Sequence, residues 1–227
     1  MQKIYVSLIK SIMKIALTIT IKLKLYNIFW SSIALIAPRK GAAWLSKANY
    51  EEWGRKDAEY ILHVAEKYGV TLDTFMDYGC GYGRVAKFIA PYVKKLICAD
   101  VSSIYLARAK RYLRSNLNIE YVKVNGKDLK QIKNHQVDLV YSIGVFVHIN
   151  KKDAYILSRE IARILKPEGV FVVDLPKPGC KWPSFEEYSQ EDILMFLEPY
   201  RELEKEVGNT VIRYVLRVKS CRSGSEA

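Results

Sequence analysis

A glycine-rich turn follows an acidic residue in the segment 75–85, which reads F-M-D-Y-G-C-G-Y-G-R-V. The glycines are spaced as G-x-G-x-G, and the absence of a Cβ lets the backbone turn sharply and approach a ligand closely. The surrounding pattern predicts a strand before the turn and a helix after it. A ligand is therefore expected at the carboxyl edge of this strand.

A second acidic residue, Asp100, ends the next apolar run, 17 residues after Gly83. A carboxylate at this position can accept hydrogen bonds from both hydroxyls of a ribose. Asp77 and Asp100 together predict an acidic pocket, which repels a pyrophosphate but suits a ligand that carries an ammonium and a sulfonium. In addition, Arg84 stands where a dinucleotide-binding motif has its third glycine. These residues favour S-adenosylmethionine over NAD as the cofactor.

The order of the motifs resembles that of the class I S-adenosylmethionine-dependent methyltransferases over about residues 53–219. Five segments carry the likeness: D-Y-G-C-G-Y-G at 77–83, C-A-D at 98–100, N-G-K-D-L at 125–129, V-D-L-V-Y-S-I-G-V-F-V-H-I at 137–149 and I-L-K-P-E-G-V-F-V-V at 164–173. In order, they are similar to the family's glycine motif, its ribose-binding acid, its adenine loop, the fourth-strand motif of small-molecule and glycan-type members, and the helix, turn and strand that follow.

The resemblance implies a cofactor site along the carboxyl ends of the strands. The implied cofactor-binding residues are Asp77, Gly79, Cys80, Gly81, Gly83, Asp100, Val101, Asp128, Leu129 and Ser142. Simpler roles exist for three of them, since Asp77 could cap a strand end, Asp100 could pair with a lysine and Asp128 could cap a turn. Arg84 is expected to pack or pair on its helix or to contact the cofactor carboxylate. Arg55 is expected on a solvated helix face or at the same carboxylate.

His148 follows the fourth predicted strand and is the histidine expected beside the transferred methyl group. A poorly nucleophilic alcohol benefits from a general base, so His148 is the candidate catalytic residue. A structural imidazole, hydrogen-bonded beneath the helix that starts at Lys151, is the alternative. His63 and His135 are expected at exposed positions and receive no role.

The acceptor is expected to offer a hydroxyl group. Residues 142–145 read S-I-G-V where methyltransferases of DNA amino groups and of glutamine carry an Asn/Asp-Pro-Pro-aromatic motif, and the Pro-Cys dipeptide of cytosine-modifying enzymes does not occur. DNA is therefore not expected as a partner, whereas a sugar, a lipid or another small molecule is. Residues 177–185, with Trp182, are predicted to form a substrate lip or an ordinary crossover loop. The alternatives are methylation of RNA or protein, and a membrane-tethered cofactor-binding scaffold without turnover.

The chain alternates strands and helices from residue 49 onward, which is typical of a parallel sheet covered by helices. Strands are predicted at Thr74–Asp77, Leu96–Asp100, Glu120–Val124, Asp138–Ile143, Gly169–Asp174, Glu202–Val207 and Val211–Val218. Helices are predicted at Trp53–Tyr68, Arg84–Tyr92, Ile104–Asn116, Lys151–Leu165 and Gln190–Leu197. Only three residues separate the last two strands, so they must form an antiparallel hairpin. The predicted fold class is α/β: a Rossmann-like, doubly wound, seven-stranded sheet, parallel except for a C-terminal antiparallel hairpin strand, with helices on both faces.

Residues 1–49 are predicted to form an N-terminal extension of a domain at residues 50–219. The extension contains eight Lys or Arg and no Asp or Glu, so the rest of the chain carries only +4 of the formal charge of +12. A helix over residues 2–23 would gather its lysines on one side and lie on an anionic membrane surface. The alternation T-I-T-I-K-L-K-L at 18–25 favours a strand instead. Packing on the domain, oligomerisation and translation from Met13 are further alternatives.

The composition is that of a folded protein. Half of the chain is apolar and 26% is charged, which excludes a disordered or collagen-like chain and a polytopic membrane protein. The longest uncharged run, residues 25–38, is shorter than the roughly 20 residues that span a bilayer. No metal site is expected, because metal-ligand spacing is missing around Cys80, Cys98, Cys180 and Cys221. A cytoplasmic location, or a peripheral one on the membrane, is predicted, with a frayed tail at residues 220–227.

Overall fold

The computed structural model describes residues 26–36, 47–180 and 187–219 of the 227-residue chain. Seven strands in this part form one sheet: β1 (Thr74–Tyr78), β2 (Lys95–Asp100), β3 (Ile119–Lys123), β4 (Val137–Ser142), β5 (Leu165–Pro176), β6 (Tyr200–Val207) and β7 (Val211–Val218). Their order across the sheet is β3-β2-β1-β4-β5-β7-β6. Strands β1 to β5 are parallel, and β7 is antiparallel to both β5 and β6. The predicted α/β fold class is confirmed, including the antiparallel hairpin.

The central strands are buried on both faces, which explains why they read as nearly continuous apolar runs. All six residues of β4 are buried. Neighbouring residues of a strand point to opposite faces, so Phe75 packs in one core cluster and Met76 in the other. Val140 and Tyr141, which are also neighbours in one strand, likewise pack in different core clusters. Since the sheet has a core on each face, the ends of the strands are where polar side chains can meet a ligand.

Six helices flank the sheet in the described ranges: α1 (Tyr26–Ile36), α2 (Lys47–Lys67), α3 (Ala86–Ile89), α4 (Ser103–Tyr112), α5 (Lys151–Ile164) and α6 (Gln190–Leu197). Ser102, Asn150 and Ser189 precede α4, α5 and α6 and accept hydrogen bonds from the first turn of each helix. Such N-caps satisfy backbone donors that have no partner inside the helix. The predicted helix positions therefore agree with local capping as well as with apolar spacing.

The helix predicted over residues 84–92 is wrong in its extent. Residues 81–85 form turns, α3 has only four residues, and a 3₁₀ turn follows at Ala90–Tyr92. Gly83 has a φ of +85°, which is incompatible with a helix starting there. Pro91 has no N–H to continue the α-helical hydrogen bonds. A glycine before the segment and a proline within it thus shorten the helix from both sides.

The predicted N-terminal extension, residues 1–49, contains α1 and the first three residues of α2. The helix expected to begin at Trp53 is α2 and begins at Lys47, and α1 packs on the domain through Phe29 and Ile33. None of the helices in the described ranges is long and apolar enough to cross a membrane. Several predictions lie outside the described residues: the helix at 2–23, the strand at 18–25, Trp182 with its lip, and the tail at 220–227.

Candidate functional site

The crevice between β1 and β4 is where the chain changes its direction of strand addition. From β1 the chain adds β2 and β3 on one side, and it then returns to add β4 and β5 on the other. The loops that leave β1 and β4 touch, because a Cβ added to Gly79 would lie 2.4 Å from Cγ2 of Val145. Open α/β sheets bind ligands at such a switch point, beyond the carboxyl ends of the strands. This edge is therefore the candidate site.

The three glycines of the turn after β1 have different surroundings. All have a positive φ, +81° at Gly79, +52° at Gly81 and +85° at Gly83, where side chains are disfavoured. A Cβ on Gly83 would lie 2.6 Å from Cδ1 of Leu113, so this glycine, like Gly79, is required by packing. A Cβ on Gly81 would meet no atom within 4 Å. Of the three, Gly81 is the one that leaves room for a ligand.

Cys80 lies within this turn but turns its thiol inward. The N–H groups of Gly79 and Cys80 both donate to the Ala99 carbonyl, at 2.8 and 3.1 Å. A hydrogen bond with the neighbouring Cys98 thiol, together with burial, raises the pKa of Cys80 well above its ordinary value. Both thiols are buried, so Cys80 contributes its backbone shape to the turn rather than a reactive side chain.

Asp100 is held at the end of β2 by backbone N–H groups. Its Oδ2 accepts from Gly81 at 2.9 Å, and its Oδ1 accepts from Ser102 at 2.8 Å. The alternative prediction, in which Asp100 pairs with a lysine, does not describe these two contacts. Burial raises the pKa of Asp100 to about 6, although the backbone hydrogen bonds oppose this effect. The Val101 N–H is a third backbone partner of this carboxylate. A carboxylate has about four lone-pair sites, so capacity remains for a hydroxyl donor.

Asp77 lies next to the turn on β1 and is also buried, with 5% of its surface exposed. Burial raises the pKa of Asp77 to about 7, and the positive charge of Arg84 opposes that rise. The charge of Asp100 adds to it. The two carboxylates therefore lie close enough to affect each other's charge, and a cation bound between them would favour their ionised forms. The acidic pocket itself stays a prediction.

Arg84 does not pair on its own helix but with Asp57 of α2, at 2.6 Å. Asp57 also binds Arg213 of β7 at 3.0 Å, and Arg213 forms two hydrogen bonds with Asp174 at the end of β5. This network ties α2 to the sheet beside Asp77. Arg55, by contrast, is exposed and binds Glu59 one turn along α2, which agrees with the expected solvated face.

The loop predicted to meet adenine shows the contacts of a turn. Asp128 accepts hydrogen bonds from the Asn125 side chain at 3.0 Å and from the Lys130 N–H at 3.4 Å. The Asn125 bond lowers the pKa of Asp128 below its ordinary value. Leu129 is fully buried, and its N–H donates to Glu160 of α5 at 2.9 Å. A role of Asp128 and Leu129 in cofactor binding stays a prediction.

Two further predicted residues lie at the strand ends that form the crevice. Ser142 is fully buried at the end of β4 and donates to the Tyr78 carbonyl at the end of β1, at 2.9 Å. It therefore joins the two strands between which the ligand is expected. Val101 follows Asp100 directly and is partly buried against the core on one face of the sheet.

His148 lies in a 3₁₀ turn, Phe146–His148, that follows β4. Burial lowers the pKa of its imidazole to about 4, so the ring is neutral at physiological pH and can accept a proton. Its ring centre lies 5.1 Å from that of Trp30 in α1, with an angle of 65° between the planes. The structure thus places the predicted base at the switch point, next to a residue that the sequence analysis did not consider.

Helix α1 is the part of the site that sequence reasoning missed. Besides Trp30, its Ser31 hydroxyl lies 3.0 Å from that of Ser102, and the Ala34 carbonyl accepts a hydrogen bond from Arg108 of α4. One signal was available, because apolar residues recur at helical spacing within the uncharged run at 26–36. The contact of this run with the loops after β2 and β4 depends on packing against the sheet, which residue spacing does not specify.

The residues at the switch point fit S-adenosylmethionine. The backbone is open to close approach at Gly81, and the Asp100 carboxylate beside it is an acceptor that suits a ribose hydroxyl. Asp77, in its ionised form, adds negative charge beside Asp100, which suits a positively charged donor. Within the described ranges, no group of three His, Cys, Asp or Glu side chains is arranged to hold a metal ion.

A comparison with protein families agrees with this geometry. A family model described as a methyltransferase domain matches residues 76–173. The match begins in β1 and ends in β5, and it includes the glycine turn, Asp100 and His148.

Two relatives with assigned names match part of the chain. The probable S-adenosylmethionine-dependent methyltransferase CRG1 of Saccharomyces cerevisiae is 29% identical over 104 residues, covering 44% of this chain and 35% of the relative. The mitochondrial arginine-hydroxylase NDUFAF5 of Danio rerio is 30% identical over 130 residues, covering 56% of this chain and 37% of the relative. The chain thus spans little more than a third of the length of either protein.

The fold is shared with solved structures of similar size. The crystal structure of an S-adenosylmethionine-dependent methyltransferase from Clostridium acetobutylicum superposes with a TM-score of 0.65 at 17% sequence identity. The superposition covers 84% of this chain and 99% of that one. At 17% identity the superposition shows the shared fold alone.

Proposed function

We propose that the protein is an S-adenosylmethionine-dependent methyltransferase that methylates an oxygen atom of a small-molecule, sugar or lipid-linked acceptor. The match of residues 76–173 to a methyltransferase-domain model and the shared fold support this proposal. The observation that carries the proposal is the pairing of Gly81 with Asp100. The glycine faces open space, and its N–H orients a buried carboxylate beside that space. A ribose and a positively charged donor are the ligand parts that such a pocket suits.

S-adenosylmethionine supplies a methyl group that is already activated by a positively charged sulfur. The tasks left to the chain are to hold donor and acceptor in the reactive arrangement and to exclude water. Asp77 and Asp100 bind the donor, and the turn at Gly79–Gly83 shapes the pocket around it. Loss of the acceptor proton is then the step for which a side chain is needed.

His148 is the residue we assign to that proton. The imidazole is neutral because burial lowers its pKa to about 4, so one of its nitrogens can accept a hydrogen bond from the acceptor hydroxyl. A group with so low a pKa is a weak base. It therefore suits an acceptor whose proton leaves together with methyl transfer, rather than one that must first be fully deprotonated.

The decisive experiment incubates the purified protein with methyl-labelled S-adenosylmethionine and a fractionated cell extract. Transfer of label to a small-molecule or lipid fraction, with formation of S-adenosylhomocysteine, supports the proposal. Label in RNA or protein would identify the alternative acceptor class. Cofactor binding without any transfer would indicate a scaffold, and modification without label transfer would point to another reaction on the same fold.

A matched pair of variants tests the cofactor pocket by calorimetry with S-adenosylhomocysteine. Asp100→Ala is expected to abolish the heat of binding, because the ribose loses its acceptor. Asp73→Ala is the control, since Asp73 precedes β1 at the opposite end of the strand and pairs with Lys94. His148→Ala is expected to bind normally and to lose turnover. Equal binding by the Asp100→Ala variant and the wild type would refute the pocket assignment.

We also propose that the protein is cytoplasmic and contacts an anionic membrane surface beside this site. On α1, Ile28 and Leu35 are 58% and 63% exposed although the inner face of the helix is packed on the domain. The helix itself has no charged residue, and the neighbouring sequence contains Lys22, Lys24, Arg39 and Lys40. Apolar side chains beside lysines and arginines favour binding to anionic lipid headgroups.

Sedimentation with phosphatidylcholine vesicles, with and without phosphatidylserine, tests this contact. The double variant Ile28→Ser, Leu35→Ser is expected to bind less of the phosphatidylserine vesicles than the wild type. Leu117→Ser is the control, because Leu117 is 95% exposed on a different part of the surface. If the double variant sediments like the wild type, α1 is not the membrane contact.

A further inference from the structure

Helix α1 lies across the candidate site, although it precedes the residues that the family model matches. The Ser31 hydroxyl lies within hydrogen-bond distance of the Ser102 hydroxyl, and the Ser102 N–H donates to the Asp100 carboxylate. One residue earlier, Trp30 contacts His148. Successive residues of one helix thus reach the loop after β2 and the loop after β4. Because β1 lies between these strands, α1 crosses the edge where the donor is expected.

The helix is fixed in this position by packing on its inner side. Phe29 and Ile33 are each 8% exposed, and Ala34 is fully buried. The Arg108 guanidinium joins α1 to the glycine turn, because it donates both to the Ala34 carbonyl and to the Tyr82 hydroxyl. An element with these contacts has a defined place relative to the site.

Trp30 is placed to act on His148 through its ring. The ring centres are 5.1 Å apart in an edge-to-face arrangement, which is a favourable geometry for aromatic pairs. Phe29 also packs edge-to-face against Trp30, with ring centres 5.2 Å apart and an angle of 82° between the planes. Two aromatic contacts therefore hold the indole, and the indole in turn borders the imidazole.

We infer that Trp30 is a positioning residue of the acceptor subsite, which holds the His148 imidazole in place, shields it from water and forms one wall of the subsite. The inference rests on the proposed function in that His148 is taken to face the acceptor. It adds that acceptor binding depends on a helix outside the matched domain. An indole face also suits the flat face of a sugar or an aromatic ring, which makes Trp30 a determinant of acceptor choice.

The surroundings of His148 make its titration a direct measure of whether Trp30 shields the imidazole from water. Burial is the cause of its lowered pKa. The first turn of the neighbouring helix α5 carries Lys151, which pairs with Asp192, and Lys152, together with Asp153, whose carboxylate accepts from the Asn150 side chain. Farther along α5, Arg159 pairs with Glu198 and Arg163 pairs with Glu160. Helix α1 contributes no charge. Removing the Trp30 ring should therefore act on His148 mainly through access of water.

The test is an NMR pH titration of the histidine signals in the full chain, with the His148 signal identified by its loss in His148→Gln. In Trp30→Ala the pKa of His148 is expected to rise by about 1 pH unit toward its ordinary value. Trp30→Phe is expected to titrate like the wild type, because a ring remains. Ser32→Ala is the matched control on the exposed side of the same helix. If Trp30→Ala does not fold, Trp30→Leu serves for the same comparison.

A second measurement uses the extract fraction that takes up label from the wild type. Trp30→Ala is expected to lower kcat/KM for that acceptor about tenfold, a change of about 1.4 kcal/mol, without changing the Kd for S-adenosylhomocysteine. Trp30→Phe is expected to restore most of the activity. An unchanged His148 titration in folded Trp30→Ala would overturn the inference. Failure of the proposed function would appear separately, as no heat of S-adenosylhomocysteine binding to the wild type.

Discussion

The backbone N–H of Gly81 donates a hydrogen bond to Oδ2 of Asp100 at 2.9 Å. This bond connects the glycine that faces open space with the acid that ends the next strand. The turn and the acid therefore form one unit, in which the shape of the backbone sets the direction of the carboxylate. Changes at this unit should affect ligand binding more than they affect folding.

Gly81→Ala is expected to weaken S-adenosylhomocysteine binding about tenfold or more, because its methyl group enters the space left for the ligand. The positive φ costs an alanine about 1–2 kcal/mol, so some loss of stability is expected as well. Gly79→Ala is the comparison, since its methyl group would collide with Val145 and should lower Tm by more. Calorimetry and thermal unfolding measure the two effects. If both variants bind the ligand normally, Gly81 does not border the pocket.

Cofactor affinity is expected to fall as the pH is lowered through about 7, because Asp77 must be ionised to attract a positively charged donor and burial raises its pKa to about 7. A site that needs one deprotonated group with this pKa loses about tenfold in affinity between pH 8 and pH 6. Calorimetry with S-adenosylmethionine over this range measures the effect. In Asp77→Asn the affinity should be lower and should vary only about twofold over this range, because Asp100, with a pKa of about 6, still titrates at its lower end. A wild-type profile that is flat over the same range would contradict this role of Asp77.

The same carboxylate should influence the pH dependence of stability without ligand. The folded pKa of Asp77 lies above the ordinary value of about 4, so the folded state binds more protons than the unfolded state between these two pH values. Its contribution to stability is therefore present below about pH 4 and is lost as the pH rises to about 7. Asp77→Asn should raise Tm at pH 8 relative to the wild type and have little effect at pH 4. Thermal unfolding at both pH values tests the sign.

Arg213→Met is expected to destabilise the protein by about 3 kcal/mol or more, because Asp57 and Asp174 would lose a buried positive partner. Urea unfolding measures this change. Arg55→Met is the control, since Arg55 forms an exposed pair with Glu59 and such pairs contribute little. Equal stability of the two variants would show that the network does not hold α2 against the sheet.

Asp128→Asn tests the predicted adenine contact. If Asp128 accepts a hydrogen bond from the adenine amino group, the variant should bind S-adenosylhomocysteine several-fold more weakly, by about 1 kcal/mol. Binding of a hypoxanthine analogue, which lacks that amino group, should change less. Asp128 otherwise contacts only Asn125 and Lys130 of its own turn in the hydrogen bonds described above, so Asp128→Asn is expected to change Tm only slightly. Unchanged affinity would leave Asp128 with the role of a turn cap.

Much of the site was predictable because it is built from short segments. The strand, the glycine turn and the acid at the end of the next strand are set by residues close together in sequence. Alternation and turn chemistry identify such segments directly. The hairpin was predictable for the same reason, since a connection of three residues leaves only one way to pair its strands.

Roles that depend on a distant partner could not be obtained in this way. Arg84 pairs with Asp57, which is 27 residues away in sequence, and nothing near either residue indicates the pairing. Gly79, Gly81 and Gly83 look equivalent in the motif, yet two are required by contacts with Val145 and Leu113, and one faces open space.

The sequence by itself determined the fold class and the positions of the glycine turn, Asp77 and Asp100 at strand ends, because these follow from local periodicity and from residue type. Tertiary structure alone decided that α1 lies over these strand ends and that Trp30 meets His148. The two residues are more than a hundred positions apart in the chain. Their contact results from the packing of an apolar helix face on a completed sheet, which no local pattern specifies.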